Sequence, residues 1–383
     1  MRRSRGTPAE GRVRLAAIVG RILGLALLMG VAGHVAPAWA QDELFVTNQD
    51  SNSVTVYVRT ANGDVTPLRI LSGGSTGLND PSGLFLDTVN KELFVANAGN
   101  DTVTVYPLTW PVSDTPPVRT LSGGLTGLNT PTGLFLDRVN GELFVANFGN
   151  TSITVYPRTW PVLVPNTSFL RQLIGLANTG LDQPADVAVD TVNNELFVAN
   201  FGNDSITVYS RTANGDTAPL RTLIGANTGL GGPQDLDLDT VHGELFVANF
   251  LAGSVTVYPR TWPVLEPNTA FLRRLSGVVN TDLNGPFGLA VDTVHNELFV
   301  ANFSTPSVTV YSRTASGDTG PTRTLSGGNT GLSSPQFVAV IVSAPIPTLS
   351  EWAQIGMVAL LAIGGLLALR RRSGRGKRLH TTG

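Results

Sequence analysis

No cysteine occurs anywhere in the 383 residues, which excludes disulfides and every form of thiol chemistry. Charge is also scarce, at 14% of the chain, and what basic charge there is avoids the middle. Twelve of the 26 Lys and Arg lie within the first 21 or the last 14 positions. Between Gln41 and Ala344 there are 14 Lys and Arg against 26 Asp and Glu, a balance of −12. Such an acidic body repels phosphates, so a nucleic-acid partner is excluded. Helical periodicity is missing from this region as well. Histidine is rare, and His34 and His380 fall in the terminal segments. There is no G-x-S-x-G, H-E-x-x-H or Walker loop. EF-hand loops are absent too, because the turns "NAGND" and "NFGND" lack the closing glutamate at its spacing.

What is present is repetition. "ELFVTN" begins at Glu43, and "ELFVAN" at Glu92, Glu142, Glu195, Glu244 and Glu297, at spacings of 49 to 53 residues. Each copy is followed by a β-branched run ending in tyrosine, such as "SVTVY" from Ser53 or "TVTVY" from Thr102. Each copy but the first is preceded by a third run, such as "PSGLFLD" at Pro81 or "PADVAVD" at Pro184. A short run such as "LRTL" closes the unit. Four short β-rich runs per roughly 50 residues, separated by Gly, Pro and Asn, describe a propeller blade. Their near-continuous apolar character suits strands packed on both faces. The predicted fold is therefore an all-β, six-bladed β-propeller over 41–342 with four-stranded blades. The first unit lacks the "PxGLxxD" run, and "PQFVAVIV" from Pro335 to Val342 lacks everything after it. Residues 336–342 are expected to complete the blade begun by 43–71, a 1+3 closure that removes free sheet edges.

The stretch "PSGLFLDTVNKELFVANAGNDTVTVY" resembles an NHL-type repeat, and "LFVAN…TVTVY" is similar to the related YVTN-type repeats. That resemblance implies a propeller and leaves function open, since such propellers serve as enzymes, binding modules and scaffolds alike.

Six copies allow an internal comparison. A glutamate and an arginine recur in every blade (Glu92 and Arg119 in the second), which suggests a repeated ion pair or backbone contact. Asn48, Asn97, Asn147, Asn200, Asn249 and Asn302 recur at a strand end. They form either an amide ring at the channel mouth for a cation or sugar, or a set of structural turns. Departures from symmetry gather in two adjacent inner runs. Asp186 and Asp235 stand where Gly83, Gly133 and Gly288 occur, and Asp237 where Phe85, Phe135 or Ala290 occur. Three carboxylates near the axis either bind a divalent cation or line a wet channel. No other cofactor and no catalytic residue is indicated. His242 and His295 take the place of Asn90 and Asn140 in a "DTVN" turn, a turn role. Trp110, Trp160 and Trp262 sit in longer "TWPV" connections and either cover a sheet edge or meet a partner. "RTANGD" and "RTASGD", from Arg59, Arg211 and Arg313, read as tight hairpin turns.

The two ends set the compartment. Six arginines, an apolar core from Ile22 to Ala32 and Ala38-Trp39-Ala40 describe a signal peptide over 1–40, cleaved after Ala40. Beyond the repeats, 343–352 is a linker containing "IPTLSEW" (Ile346, Pro347, Thr348, Leu349, Ser350, Glu351, Trp352). Residues 353–369 form an apolar stretch of about 25 Å as a helix, enough to span a membrane. Arg370, Arg371 and Arg372 begin a basic tail over 370–383 that holds the C-terminus in the cytoplasm. Motif, span and basic cluster resemble the IPTL-CTERM sorting signal of Gram-negative bacteria. The resemblance implies an inner-membrane-anchored precursor, cut by an exosortase-type transpeptidase and passed to the envelope or exterior. The reading is thus an exported binding or scaffold propeller, in at least transient contact with a membrane, whose partner is an unknown protein or saccharide. The alternative is a hydrolase or lyase with a metal at the channel mouth.

Overall fold

The computed structural model describes residues 42–342, residue 176 excepted. The expected signal peptide, its cleavage site at Ala40, "IPTLSEW", the span 353–369 and Arg370–Arg372 lie outside the described residues. Among the described residues there is no helix, and six separate four-stranded antiparallel sheets make up the fold. Blade 2 is typical: Pro81–Asp87, Glu92–Asn97, Thr102–Pro107 and Arg119–Leu121 pair in sequence order. Blades 3, 4, 5 and 6 repeat this over 131–174, 184–223, 233–276 and 286–326. The first strands of successive blades contact one another around the ring, which makes them the inner wall.

Ring closure follows the expected arithmetic. Blade 1 takes Glu43–Asn48, Ser53–Val58 and Arg69–Leu71 from the start of the domain and Pro335–Ile341 from its end. Phe45 pairs with Ala339 and Val46 with Val338, so no inner edge stays open. The packing explains the apolar runs. Phe45, Phe94, Phe144, Phe197, Phe246 and Phe299 are all completely buried between sheets, each worth about 1.5–3 kcal/mol of transfer free energy. The six strand-ending tyrosines are buried as well. Tyr106 Oη donates to the Thr76 carbonyl at 2.6 Å and Tyr156 Oη to Thr126 at 2.6 Å, tying each blade to the linker that enters it. Burial pushes the Tyr57 phenol up to about 12.

The recurring glutamate and arginine form a bidentate pair in every blade. In blade 2, Arg119 Nη1 and Nη2 donate to the two Glu92 carboxylate oxygens at 2.6 and 2.8 Å. A second arginine reaches over from the following blade: Arg158 donates to Asp87 and Glu92, both at 2.8 Å. Arg211, Arg260, Arg313 and Arg59 repeat the clamp at four further seams. At the remaining seam, between blades 1 and 2, the sequence has Leu108 in place of the arginine and Ile341 in place of the aspartate. Both belong to one apolar cluster, so clamp and counter-charge were exchanged together. Leu108→Arg or Ile341→Asp alone should cost about 1–3 kcal/mol by setting a charge against apolar neighbours. The double variant should recover at least about 1 kcal/mol of the sum in urea unfolding; strictly additive losses would contradict the exchange.

The outer strands are covered in two ways. Trp110 Nε1 donates to the Ile70 carbonyl at 3.0 Å and Trp160 Nε1 to Thr120 at 3.0 Å, capping the outer strand of the preceding blade. Trp262 does the same at Thr222, and all three indoles are buried. Where the tryptophan is missing, the connection itself supplies backbone. Gly63, Gly215 and Gly317 form β-bridges to Leu325, Leu173 and Leu275. "RTANGD" is therefore not a tight hairpin. Its connection runs over 59–68 because it must reach the neighbouring blade's edge, with Gly63 N donating to Thr324 O at 2.7 Å.

Candidate functional site

The inner strands carry the strongest departures from six-fold symmetry. Neighbouring inner strands approach so closely that a Cβ on Gly83 would lie 2.2 Å from the Thr132 carbonyl oxygen. At Gly133 the same space is taken by Asp186, whose Oδ1 would stand 2.0 Å from such a Cβ. Asp186 thus uses the room that its neighbour's glycine leaves. Its Oδ2 accepts from Leu236 N at 3.2 Å, in the next blade. Asp235 Oδ2 accepts from Leu289 N at 2.6 Å and Asp237 Oδ2 from Val291 N at 2.9 Å, both one blade further.

The carboxylates therefore stitch together the inner strands of blades 4, 5 and 6. Asp186 and Asp235 are each 4% exposed, whereas Asp237 keeps some contact with solvent. Burial raises the affinity of all three for protons, to about 7 for Asp186 and about 6 for Asp237. Asp235 is held well above the ordinary value, through burial first and then through the adjacent Asp186 carboxylate, with which it shares a hydrogen bond. Such a bond needs one of the two to hold a proton. The three sequence candidates are brought together, but as a ladder between strands and not as a cage around a cation. Among the described residues, no three His, Asp or Glu side chains are placed to hold a metal ion.

The six asparagines do not face the channel, and the structure corrects that reading. Asn48, Asn97, Asn147, Asn200, Asn249 and Asn302 are completely buried. Asn147 Nδ2 donates to Thr154 Oγ1 at 2.9 Å, and its Oδ1 accepts from Asn129 N at 3.1 Å. An amide committed to its own blade and to the incoming linker has no group left for a cation or sugar. Each has a threonine seven residues on, from Asn48–Thr55 to Asn302–Thr309, a signal legible in the sequence. The histidines take their turn role: His242 Nδ1 lies 2.7 Å from Asp239 Oδ2 and His295 Nδ1 2.7 Å from Asp292 Oδ2.

A cleft of about 780 Å³ at the seam of blades 5 and 6 was not anticipated. It lies on the face bearing the turns between second and third strands. Its walls include Leu251, Val278, Ser307, Thr305, Thr324 and Ser326.

Comparison with known proteins bears on the two parts of the chain separately. Residues 344–372 match the family model described as the IPTL-CTERM motif. The C-terminal segment is an IPTL-CTERM motif. The match begins three residues beyond the strand that closes the ring, so the motif follows a complete propeller. A search of curated proteins by sequence gives no match. Among solved structures, the propeller is similar to a chain of a nidogen/laminin complex, at 16% identity and a TM-score of 0.58, over 79% of this chain and 99% of that one. It is similar too to a periplasmic gluconolactonase of Pseudomonas aeruginosa, at 16% identity and 0.54, over 79% and 100%. A putative 6-phosphogluconolactonase of Bacteroides uniformis gives 15% and 0.52, over 80% and 86%. Likeness at this level bears on the fold alone, and the motif supports an exported protein sorted through its C-terminus.

Proposed function

We propose that this chain is a cell-surface or extracellular-matrix propeller that works as a binding or scaffold module. The signal peptide carries it across the membrane, and cleavage after Ala40 leaves Gln41 as the first residue. The apolar stretch over 353–369 holds the precursor in the inner membrane, with Trp352 at the interface and Arg370–Arg372 inside. An exosortase-type transpeptidase then cuts near Ile346–Trp352 and passes the ring outward. The observation that carries this reading is the IPTL-CTERM match at 344–372, directly after the closing strand Pro335–Ile341. Cutting there opens no blade, because every strand of the ring lies upstream. The commitment of Asp186, Asp235 and Asp237 to backbone N–H groups favours a binding or scaffold role over metal-dependent hydrolysis. The test is mass spectrometry of mature protein from the native host. We expect a first residue of Gln41 and no peptide from the basic tail. Mature protein uniformly carrying the Arg370–Arg372 segment would overturn the sorting role.

A further inference from the structure

The seam between blades 5 and 6 is filled by shorter side chains than the seam between blades 2 and 3. In blade 3, Asn150 accepts from Ser152 Oγ at 2.7 Å and donates to the Gly127 carbonyl at 3.2 Å. Gln172 adds a further bond to Ser152 Oγ at 3.2 Å. Asn100 and Asn203 bridge to their linkers in the same way. Blade 6 has Thr305 at the asparagine position, and Thr324 opposite blade 3's Gln172, where blades 2 and 4 also carry threonine (Thr120 and Thr222). Both are short, and the space opens as the cleft of about 780 Å³. Ser307, the counterpart of Ser152, is 5% exposed and accepts from Asn302 Nδ2 at 3.2 Å. Its hydroxyl has no acceptor among the described residues, so a nearly buried donor at the cleft wall is unspent. The side chains of Thr324, Ser326 and Ser276 on the same walls make no hydrogen bond either. Meanwhile Leu251 and Val278 replace the glycines of other blades (Gly99 and Gly149; Gly74 and Gly124) and stand exposed at the rim.

We infer that this cleft binds a neutral oligosaccharide of roughly two to three sugar units, its volume lying within the roughly 300–1,000 Å³ usual for ligand clefts. Sugar hydroxyls both donate and accept, and a bank of serine and threonine hydroxyls answers in kind. Leu251 and Val278 offer apolar surface to the C–H faces of the rings. An apolar ligand would strand the hydroxyls, Ser307 above all. An anionic ligand meets Asp282 in the wall and no Lys or Arg. A peptide adding as a strand finds both outer edges already bridged, at Gly317 and Gly63.

This inference rests on the binding-module reading and names its ligand class and place. The experiment is calorimetric titration of the full-length chain in detergent with maltotriose, cellotriose, N,N′,N″-triacetylchitotriose and trigalacturonate. At least one neutral trimer should bind with a millimolar or tighter constant, and trigalacturonate should not. Thr305→Asn combined with Thr324→Gln copies the blade 3 pair into blade 6. It should weaken binding about tenfold or more with an unchanged melting temperature, as a filled pocket loses most of its contacts. Should that variant unfold, Ser307→Ala, which removes the free donor and leaves Asn302 Nδ2 its bond to Thr309 Oγ1 at 3.0 Å, should weaken binding several-fold. Absence of binding by every neutral trimer, preference for trigalacturonate, or full affinity in the filled or Ser307→Ala variant overturns the site. An unprocessed tail would refute sorting and leave these titrations unaffected, so the two failures are separable.

Discussion

An Asp235→Asn chain is expected to melt well above the parent at about pH 8 and to lose most of that advantage near pH 5. In the parent, Asp186 and Asp235 are buried side by side; burial raises the proton affinity of both above that of the unfolded chain, and the Asp186 carboxylate raises that of Asp235 further. A carboxyl whose affinity is raised on folding stabilises fully below its unfolded pKa, near 4, and loses that contribution as pH climbs through the folded value. For Asp186 that value is about 7, so the parent should weaken steadily from weakly acid to neutral pH. Asparagine keeps the ladder: Oδ1 can accept from Leu289 N as Asp235 does now, and Nδ2 can donate to Asp186. One charge is removed without losing a bond, a gain of about 1–3 kcal/mol at the alkaline end. Thermal melts across this range check it. Parallel profiles for the two chains would mean that the pair carries no shared proton.

The second expectation concerns the strand that shuts the ring. A chain ending at Ser334 should lose cooperative unfolding altogether, whereas one ending at Val342 should melt like the parent. The difference between them is Pro335–Ile341, which pairs with Glu43–Asn48. Without it, one edge of blade 1 is unpaired and Phe337, 5% exposed and packed on Phe287, is gone. Phe337→Ala in the full chain isolates the packing part, at about 3–5 kcal/mol. That is a large share of the roughly 5–15 kcal/mol that holds a typical domain folded. Calorimetry with urea titration measures both. An undiminished transition in the chain ending at Ser334 would show that the ring does not depend on its last strand.

These two expectations draw on different depths of the sequence. The blades were legible because each strand appears six times, and closure was legible because the first and last fragments complement each other. Asp186, Asp235 and Asp237 were rightly placed on adjacent inner strands. Their direction was not legible, since it depends on Gly133 leaving room for the Asp186 carboxylate. The asparagines were left between a channel ring and structural turns because a strand-ending amide looks the same whether it faces solvent or a linker. The threonine seven residues on was the overlooked sign. The cleft is written in Thr305 and Thr324, but a missing side chain announces a space only when the walls are known.

Closure also fixes a timetable. Thr47 bonds to the backbone of Phe337, 290 residues later in the chain. At about 5–20 residues per second, synthesis leaves Glu43–Asn48 without its inner neighbour for roughly 15–60 s. During that interval blades 2 to 6 are made one after another beside an incomplete blade 1, whose bare edge invites pairing with any passing strand. The sorting motif emerges only after the missing strand has been made. A chain that shows its motif has therefore already received the means to close.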